Sequence, residues 1–369
     1  MSDHRHMARA LQLAREGRYT THPNPRVGCV IVRAGQVVGE GFHPRAGQPH
    51  AEVFALRQAG EQARGSTAYV TLEPCAHFGR TPPCAEALVA AGVGRVVMAG
   101  QDANPLVSGK GRAILEAAGI SVTVGVLEAE AEALNPGFLR RMAGGLPWVR
   151  VKMAGSLDGR TGMPSGESKW ITGPDARRDV QQWRAMSSAI ITGIGTVLAD
   201  DPGLNVRPSD WTDWHYGEPV QPWRIILDSH LRIPLNARVL AADTKVVVVT
   251  TPQSDAAKAE ALGALGVEVW RLPPGSLREV LVRLAAAGAN EVLVEAGATL
   301  AGAFVDAGLV DELVLYVAPT LLGSEGRPLF RLPFSGMGQQ RRLDIRDLRT
   351  IGPDIRLIAR PLPEGSGRT

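Results

Sequence analysis

Short apolar runs recur along the chain, bounded by glycine or proline and separated by stretches whose apolar positions repeat every three to four residues. In the first part this pattern predicts a helix over 5–16, then a hairpin of strands 28–32 and 37–40 joined at Arg33-Ala34-Gly35-Gln36. A helix opens at 49–56 and ends near Gly60; strand 68–72, helix 85–91, strand 95–99, helix 111–118 and strand 122–125 follow. The stretch from Leu134-Asn135-Pro136-Gly137 to Gly144-Gly145-Leu146-Pro147 reads as a connector, because its residues favour turns.

The pattern then restarts. Strands are predicted at 148–153, 189–192, 223–227, 245–250, 267–272, 291–294 and 312–317, with helices at 175–186, 255–265, 276–287 and 300–307. Two closing strands, 342–348 and 354–361, complete the chain. Strands alternating with helices imply an α/β architecture, a central sheet covered by helices, in each half. The second sheet is expected to be mainly parallel, with antiparallel strands at its C-terminal edge. The expected domains are residues 1–145 and 146–369.

Composition narrows the function classes. A chain of 369 residues can bury two cores, and a net charge of +3 with no basic block interleaved with aromatics predicts no nucleic-acid footprint. No apolar run approaches the about 20 residues of a membrane span, so no membrane partner is expected, and the polar start Met1-Ser2-Asp3-His4 lacks a secretory core. Three cysteines fit a reducing cytoplasm. Self-association of the chain is left open.

Chemistry concentrates at His50-Ala51-Glu52, Pro74-Cys75 and Cys84. These supply one imidazole, two thiolates and one further carboxylate. A structural zinc site closes with four protein ligands, whereas a catalytic one stops at three and leaves a position for water. The count here stops at His50, Cys75 and Cys84, since Cys29 lies in the apolar run 27–32. Zinc lowers the pKa of a bound water to about 7. In deaminases with an H-x-E and P-C signature the glutamate moves protons rather than binding metal, which assigns that role to Glu52. Cys84 opens a predicted helix, where the local positive field favours a thiolate.

Two later turns can be read either way. In Glu295-Ala296-Gly297-Ala298-Thr299-Leu300 a buried strand passes through glycine into a helix, where backbone N–H groups can meet a phosphate or merely pack. The glycines of Thr192-Gly193-Ile194-Gly195-Thr196 admit a nucleotide or a neighbouring backbone.

Longer phrases carry a resemblance over nearly the whole chain. They include His22-Pro23-Asn24-Pro25-Arg26-Val27-Gly28-Cys29, Gly41-Phe42-His43, Pro49-His50-Ala51-Glu52-Val53 and Glu73-Pro74-Cys75 through Gly79-Arg80-Thr81-Pro82-Pro83-Cys84. Beyond the connector stand Lys152-Met153-Ala154-Gly155-Ser156-Leu157-Asp158-Gly159-Arg160, Gly166-Glu167-Ser168-Lys169-Trp170-Ile171-Thr172 and Gly195-Thr196-Val197-Leu198-Ala199-Asp200-Asp201-Pro202. Together these resemble the bifunctional deaminase/reductase family of riboflavin biosynthesis. Its Cys-to-Cys interval is longer than the two-residue gap of nucleic-acid deaminases, as it is here.

The resemblance implies a cytidine-deaminase-like domain in front and a dihydrofolate-reductase-like domain behind, with zinc and NADPH as cofactors. The first would deaminate a phosphoribosyl diaminopyrimidine and the second would reduce its ribosyl chain to ribityl. It further implies that Ala154, Trp170, Thr196, Asp200 and the run Gly297, Ala298, Thr299, Leu300, Ala301, Gly302 and Ala303 touch NADPH. Ser168, Arg184, Leu204, Arg207 and Glu295 would touch the phosphoribosyl substrate, with Arg184 and Arg207 suited to a phosphate. Two rivals stand beside this reading. One is a nucleic-acid base deaminase with an accessory C-terminal domain, which needs a basic, salt-sensitive face. The other is a zinc-stabilised α/β module that binds nucleotides without turnover.

Overall fold

A computed structural model describes residues 2–76, 83–105, 108–210, 216–241 and 243–363. The chain forms two compact units: residues up to Leu146 together with 216–220, and the remainder from Pro147 onward. The later segment joins the first unit through Val220 N–H, which donates to Tyr19 O at 3.0 Å, and through Tyr216, whose ring meets Phe42 edge-on at 4.8 Å. No feature of the sequence announces that return.

The elements of the first unit are α1 (Ser2–Glu16), β1 (Gly28–Arg33), β2 (Gln36–Phe42), α2 (Ala51–Ala59), β3 (Thr67–Val70), α3 (Cys84–Ala90), β4 (Arg95–Met98), α4 (Lys110–Ala117), β5 (Ser121–Val124), α5 (Glu128–Leu134) and α6 (Pro136–Met142). Its five-stranded sheet runs β2-β1-β3-β4-β5. β1 pairs antiparallel with both neighbours, and β3, β4 and β5 are parallel. Ala34 and Gly35, both at positive φ, close the predicted hairpin.

Alternation along the strands divides two cores. Cys29 and Ile31 face Ala51, Ala55, Leu88 and Leu115 on one side, while Val30 and Val32 face Met7, Leu11 and Ala14 of α1 on the other. The stretch read as a connector contains α6 instead. Asn-Pro-Gly looks like a turn, but proline at the first helical position is pre-set for a helix, and Phe138 is buried.

The second unit contains β6 (Trp148–Ser156), β7 (Arg160–Gly162), α7 (Pro174–Met186), β8 (Ala189–Gly193), α8 (Ile194–Asp200), β9 (Trp223–Leu227), β10 (Val246–Thr250), α9 (Ala256–Ala264), β11 (Glu268–Arg271), α10 (Leu277–Ala286), β12 (Glu291–Glu295), α11 (Ala298–Asp306), β13 (Glu312–Ala318), β14 (Arg327–Pro328), β15 (Leu343–Ile351) and β16 (Asp354–Pro361). Its nine-stranded sheet runs β11-β10-β9-β8-β12-β6-β13-β16-β15. Strands from β11 to β13 are parallel, and β16 and β15 add antiparallel at the edge, as expected. Buried Arg150 on β6 ties this sheet together at one end by bonding Glu291 of β12 and, at 2.8 Å, Glu312 of β13.

One packing detail places the first unit's chemistry. β2 passes so close to α2 that a Cβ on Gly41 would lie 2.4 Å from Ala51 O, and one on Gly39 would lie 2.1 Å from Ala55 O. Only glycine permits that approach, and it sets the depth at which α2 begins. The substitution Gly41→Ala is expected to destabilise the first unit by about 1–3 kcal/mol, the usual cost of overpacking. Urea unfolding checks this, and an unchanged midpoint would show that the backbones can separate freely.

Candidate functional site

In the first unit, three soft donors meet where two helices start. His50 is the N-cap of α2, with extended backbone at φ −76° and ψ 166°, and its carbonyl accepts Val53 N–H at 3.1 Å. Cys84 is the first residue of α3, after Pro83. Cys75 follows β3 and is gripped by that helix start: Cys84 N–H donates to Cys75 Sγ at 3.3 Å, and Ala85 N–H to Cys75 O at 3.2 Å. The loop quoted between the cysteines has residues 77–82 outside the described ones.

His50 Nδ1 stands 3.5 Å from Cys75 Sγ and 3.3 Å from Cys84 Sγ, and the three donor atoms all lie within 4.8 Å of one another. Tetrahedral zinc with bonds of about 2.3 Å to sulfur and 2.0–2.1 Å to nitrogen would separate S and N by roughly 3.5 Å, so the spacing fits that ion. Charge points the same way. A hydrogen bond with Cys84 and the nearby His50 bring the Cys75 thiol down to about 4, while Cys75 and burial push Cys84 up. A cation lets both be thiolates. Cys29 takes no part: it is fully buried in β1, and burial pushes its thiol up.

Glu52, in the first turn of α2, is 3 % exposed, and its Oε2 has no hydrogen-bond partner. Burial pushes it up to about 7, with the nearby His50 opposing the shift. A carboxyl poised there exchanges protons near neutrality.

Two neighbours went unremarked as site residues in the sequence. His43 Nδ1 lies 3.0 Å from Pro49 O, and its Nε2 lies 3.0 Å from Asn24 Nδ2. The carbonyl requires a proton on Nδ1, so Nε2 accepts from the Asn24 amide and the ring is neutral. Burial also lowers its affinity for a second proton. The ring packs edge-on against His50, 5.2 Å between centroids. Only the order Asn24, His43, His50 in the quoted phrases hinted at this grouping.

The second unit holds a cleft of about 1320 Å³ at the C-terminal ends of β8, β9, β10 and β12 and beside the middle of β6, where open α/β sheets receive ligands. That exceeds the roughly 300–1,000 Å³ of a pocket for one drug-sized ligand. Of the residues expected to contact NADPH, the cleft wall includes Ala154, Trp170, Thr196, Asp200, Gly297, Ala298, Thr299, Leu300 and Ala303. Ala301 and Gly302 are not on it. Ala301 is fully buried, and Gly302 backs against Arg331, whose carbonyl would lie 1.9 Å from a Cβ there. Ser168, Arg184, Leu204, Arg207 and Glu295 all line the cleft.

Arg184 and Glu295 form a two-pronged pair, Nε to Oε1 at 2.6 Å and Nη2 to Oε2 at 2.9 Å, while Nη1 donates to Asn205 O at 3.0 Å. Arg184 is therefore largely occupied, with two N–H donors left over. Burial favours a neutral Glu295, but Arg184 and Lys152 win and hold its carboxyl below the usual range. Lys152 lines the same wall, and desolvation lowers it, with Glu295 opposing. Asp200 pairs with Lys169 at 3.0 Å, and Arg177 stacks on the exposed Trp170 ring at 4.3 Å. Arg207 bonds Asp210 and remains partly exposed.

Known proteins align with both halves. Residues 1–100 match the cytidine and deoxycytidylate deaminase zinc-binding region, and residues 147–357 match the RibD C-terminal domain. The riboflavin biosynthesis protein RibD of Escherichia coli is 50% identical over 363 residues, covering 96% of this chain and 98% of that protein. A solved structure of Acinetobacter baumannii RibD is 53% identical with a TM-score of 0.91, covering 98% of this chain and 99% of that one. A Thermotoga maritima diaminohydroxyphosphoribosylaminopyrimidine deaminase/5-amino-6-(5-phosphoribosylamino)uracil reductase is 32% identical, with a TM-score of 0.86 and coverage of 98% and 99%. The second half is thus a reductase domain rather than an accessory nucleic-acid-binding one, and the two expected folds are present. The chain belongs to the RibD family of bifunctional riboflavin-biosynthesis enzymes, in which a zinc-dependent deaminase is followed by an NADPH-dependent reductase.

Proposed function

We propose that the first unit deaminates 2,5-diamino-6-(5-phosphoribosylamino)pyrimidin-4-one through His50, Cys75, Cys84 and Glu52, and that the second reduces the ribosyl chain of the resulting 5-amino-6-(5-phosphoribosylamino)uracil. The observation that carries the first step is the convergence of three soft donors beside a buried carboxyl oxygen with no partner of its own. His50 Nδ1, Cys75 Sγ and Cys84 Sγ would hold the metal. Zinc, when bound, lowers the pKa of a water to about 7 and so supplies a nucleophile.

Glu52 does the proton work. Its Oε2 takes the proton of the attacking water and delivers it to a ring nitrogen; it then takes the proton of the hydroxyl now on the ring carbon and passes it to the amino group, which leaves as ammonia as the carbonyl forms. His43, neutral and held by Asn24 and Pro49 O, keeps the His50 ring in place without competing for protons.

In the second unit, NADPH supplies the hydride that turns ribosyl into ribityl. The start of α11 at Gly297 and Ala298 offers N–H groups to a phosphate, and the small residues there let it approach. Trp170, Thr196 and Asp200 flank the same cleft. Arg207, with the two spare donors of Arg184, suits the phosphate of the substrate, and Ser168 and Leu204 stand beside them. The free cysteines fit a reducing cytoplasm, and among the described residues no helix is long and apolar enough to cross a membrane.

Two outcomes follow. Glu52→Gln should retain one zinc per chain yet release ammonia about 10²–10⁴-fold more slowly, the span general acid–base catalysis contributes. Metal analysis and an ammonia assay check this; a rate within a few-fold of wild type would remove Glu52 from the chemistry. Arg207→Met should raise KM for the phosphoribosyl uracil by about 10–100-fold, the worth of a charged hydrogen bond of roughly 1.5–3 kcal/mol, with KM for NADPH unchanged. Steady-state kinetics with each substrate varied in turn decides it, and a shift confined to NADPH would move Arg207 to the cofactor side.

A further inference from the structure

Glu73 immediately precedes Pro74-Cys75, yet neither the metal set nor the proton route uses it. Its side chain is buried, at 6 % exposed, and both oxygens are occupied by backbone N–H donors. Oε2 accepts from Asp102 at 3.2 Å and from Gly109 at 3.0 Å, and Oε1 accepts from Arg112 at 3.1 Å. Gly109 is the N-cap of α4 and Arg112 lies in its first turn, so the carboxylate fills the place of a helix cap from outside the helix. The same turn butts against the next residue of the chain. A Cβ on Gly111 would lie 2.0 Å from Pro74 O, and the Pro74 carbonyl belongs to the peptide that carries Cys75 N.

Cys75 is therefore wedged between two helix starts. On one flank the first turn of α3 donates to its sulfur and its carbonyl. On the other, α4 presses on Pro74, and Glu73 keeps it there. Asp102 further stiffens that flank by accepting Asn104 N–H at 2.9 Å. Both Glu73 oxygens are committed to backbone N–H donors, which suits a structural role.

We propose that Glu73 is a positioning residue for the metal centre: by pinning Asp102 and the start of α4 at Gly109 and Arg112, it fixes the Cys75 thiolate at the spacing from His50 and Cys84 that a tetrahedral ion needs. The inference rests on reading those three residues as the zinc ligands. Glutamine tests it sharply, because it keeps one oxygen but turns an NH₂ group toward an N–H donor. Alanine removes all three bonds.

The experiment uses the full chain, stripped of metal and titrated with cobalt(II) as a spectroscopic stand-in for zinc, alongside chelator competition for zinc itself. Glu73→Gln is expected to bind metal about 10–100-fold more weakly, the usual effect of losing an outer-shell support, and Glu73→Ala more weakly still. The thiolate-to-cobalt band of Glu73→Gln should shift even at saturating metal, and kcat for ammonia release should fall with KM little changed. Reduction of the deaminated pyrimidine by the same chain should stay at the wild-type rate, and far-UV circular dichroism checks that the first unit remains folded. Wild-type affinity and spectrum in both variants would overturn the role of Glu73. A wild-type chain that binds neither metal at these residues would instead overturn the zinc reading on which it rests.

Discussion

The imidazole of His50, held 3.3–3.5 Å from two thiol sulfurs with all three donor atoms within 4.8 Å of one another, is the arrangement on which the first unit turns. Without a cation, a negative charge on one of the two neighbouring sulfurs disfavours a second on the other. A divalent cation removes the conflict. Much of the first unit's local packing holds these three donors together. Glycines in β2 let α2 start deep enough for His50 to reach, the first turn of α3 wraps Cys75, and the start of α4 backs up Pro74. The same depth buries Glu52 and leaves its Oε2 without a hydrogen-bond partner, so one act of burial assembles the metal ligands and sets the base beside them.

The second unit solves a different problem, since it must receive two anionic molecules side by side. Its cleft lies where strands end and helices begin, which supplies free N–H groups at no cost in folding. Four of its charged side chains are partnered in pairs, Arg184 with Glu295 and Lys169 with Asp200. Such pairs hold charge in place before a ligand arrives, so binding does not have to order long flexible side chains. Arg184 in particular acts more as a fixed wall than as a free phosphate clamp, because three of its donors are already committed.

Much of this was legible in the sequence because the decisive signals are local. His50 and Glu52 sit two positions apart at a helix start, and Cys84 opens the next helix, so spacing alone brings out their chemistry. The alternation of strands and helices likewise announced both sheets, including the antiparallel edge formed by β16 and β15. What escaped depends on contacts distant in sequence. Glu73 meets Arg112, 39 positions away, and Asn24 meets His43, 19 away, with no periodic pattern to join either pair. Helical geometry explains another gap. A continuous run such as 297–303 cannot all face one cleft when each residue turns by about 100°, so Ala301 and Gly302 pack inward instead. The helix α6 was hidden by turn-forming residues that also serve as a helix start.

One chain carries out two reactions in a fixed order on one molecule. Its most direct test is the stoichiometry of ammonia released to NADPH oxidised, followed together from time zero with the diaminopyrimidine ribosyl phosphate as the sole pyrimidine. The account predicts that ammonia appears first, that NADPH oxidation follows after a lag, and that the two converge on one to one. Oxidation of NADPH at full rate without release of ammonia would contradict it.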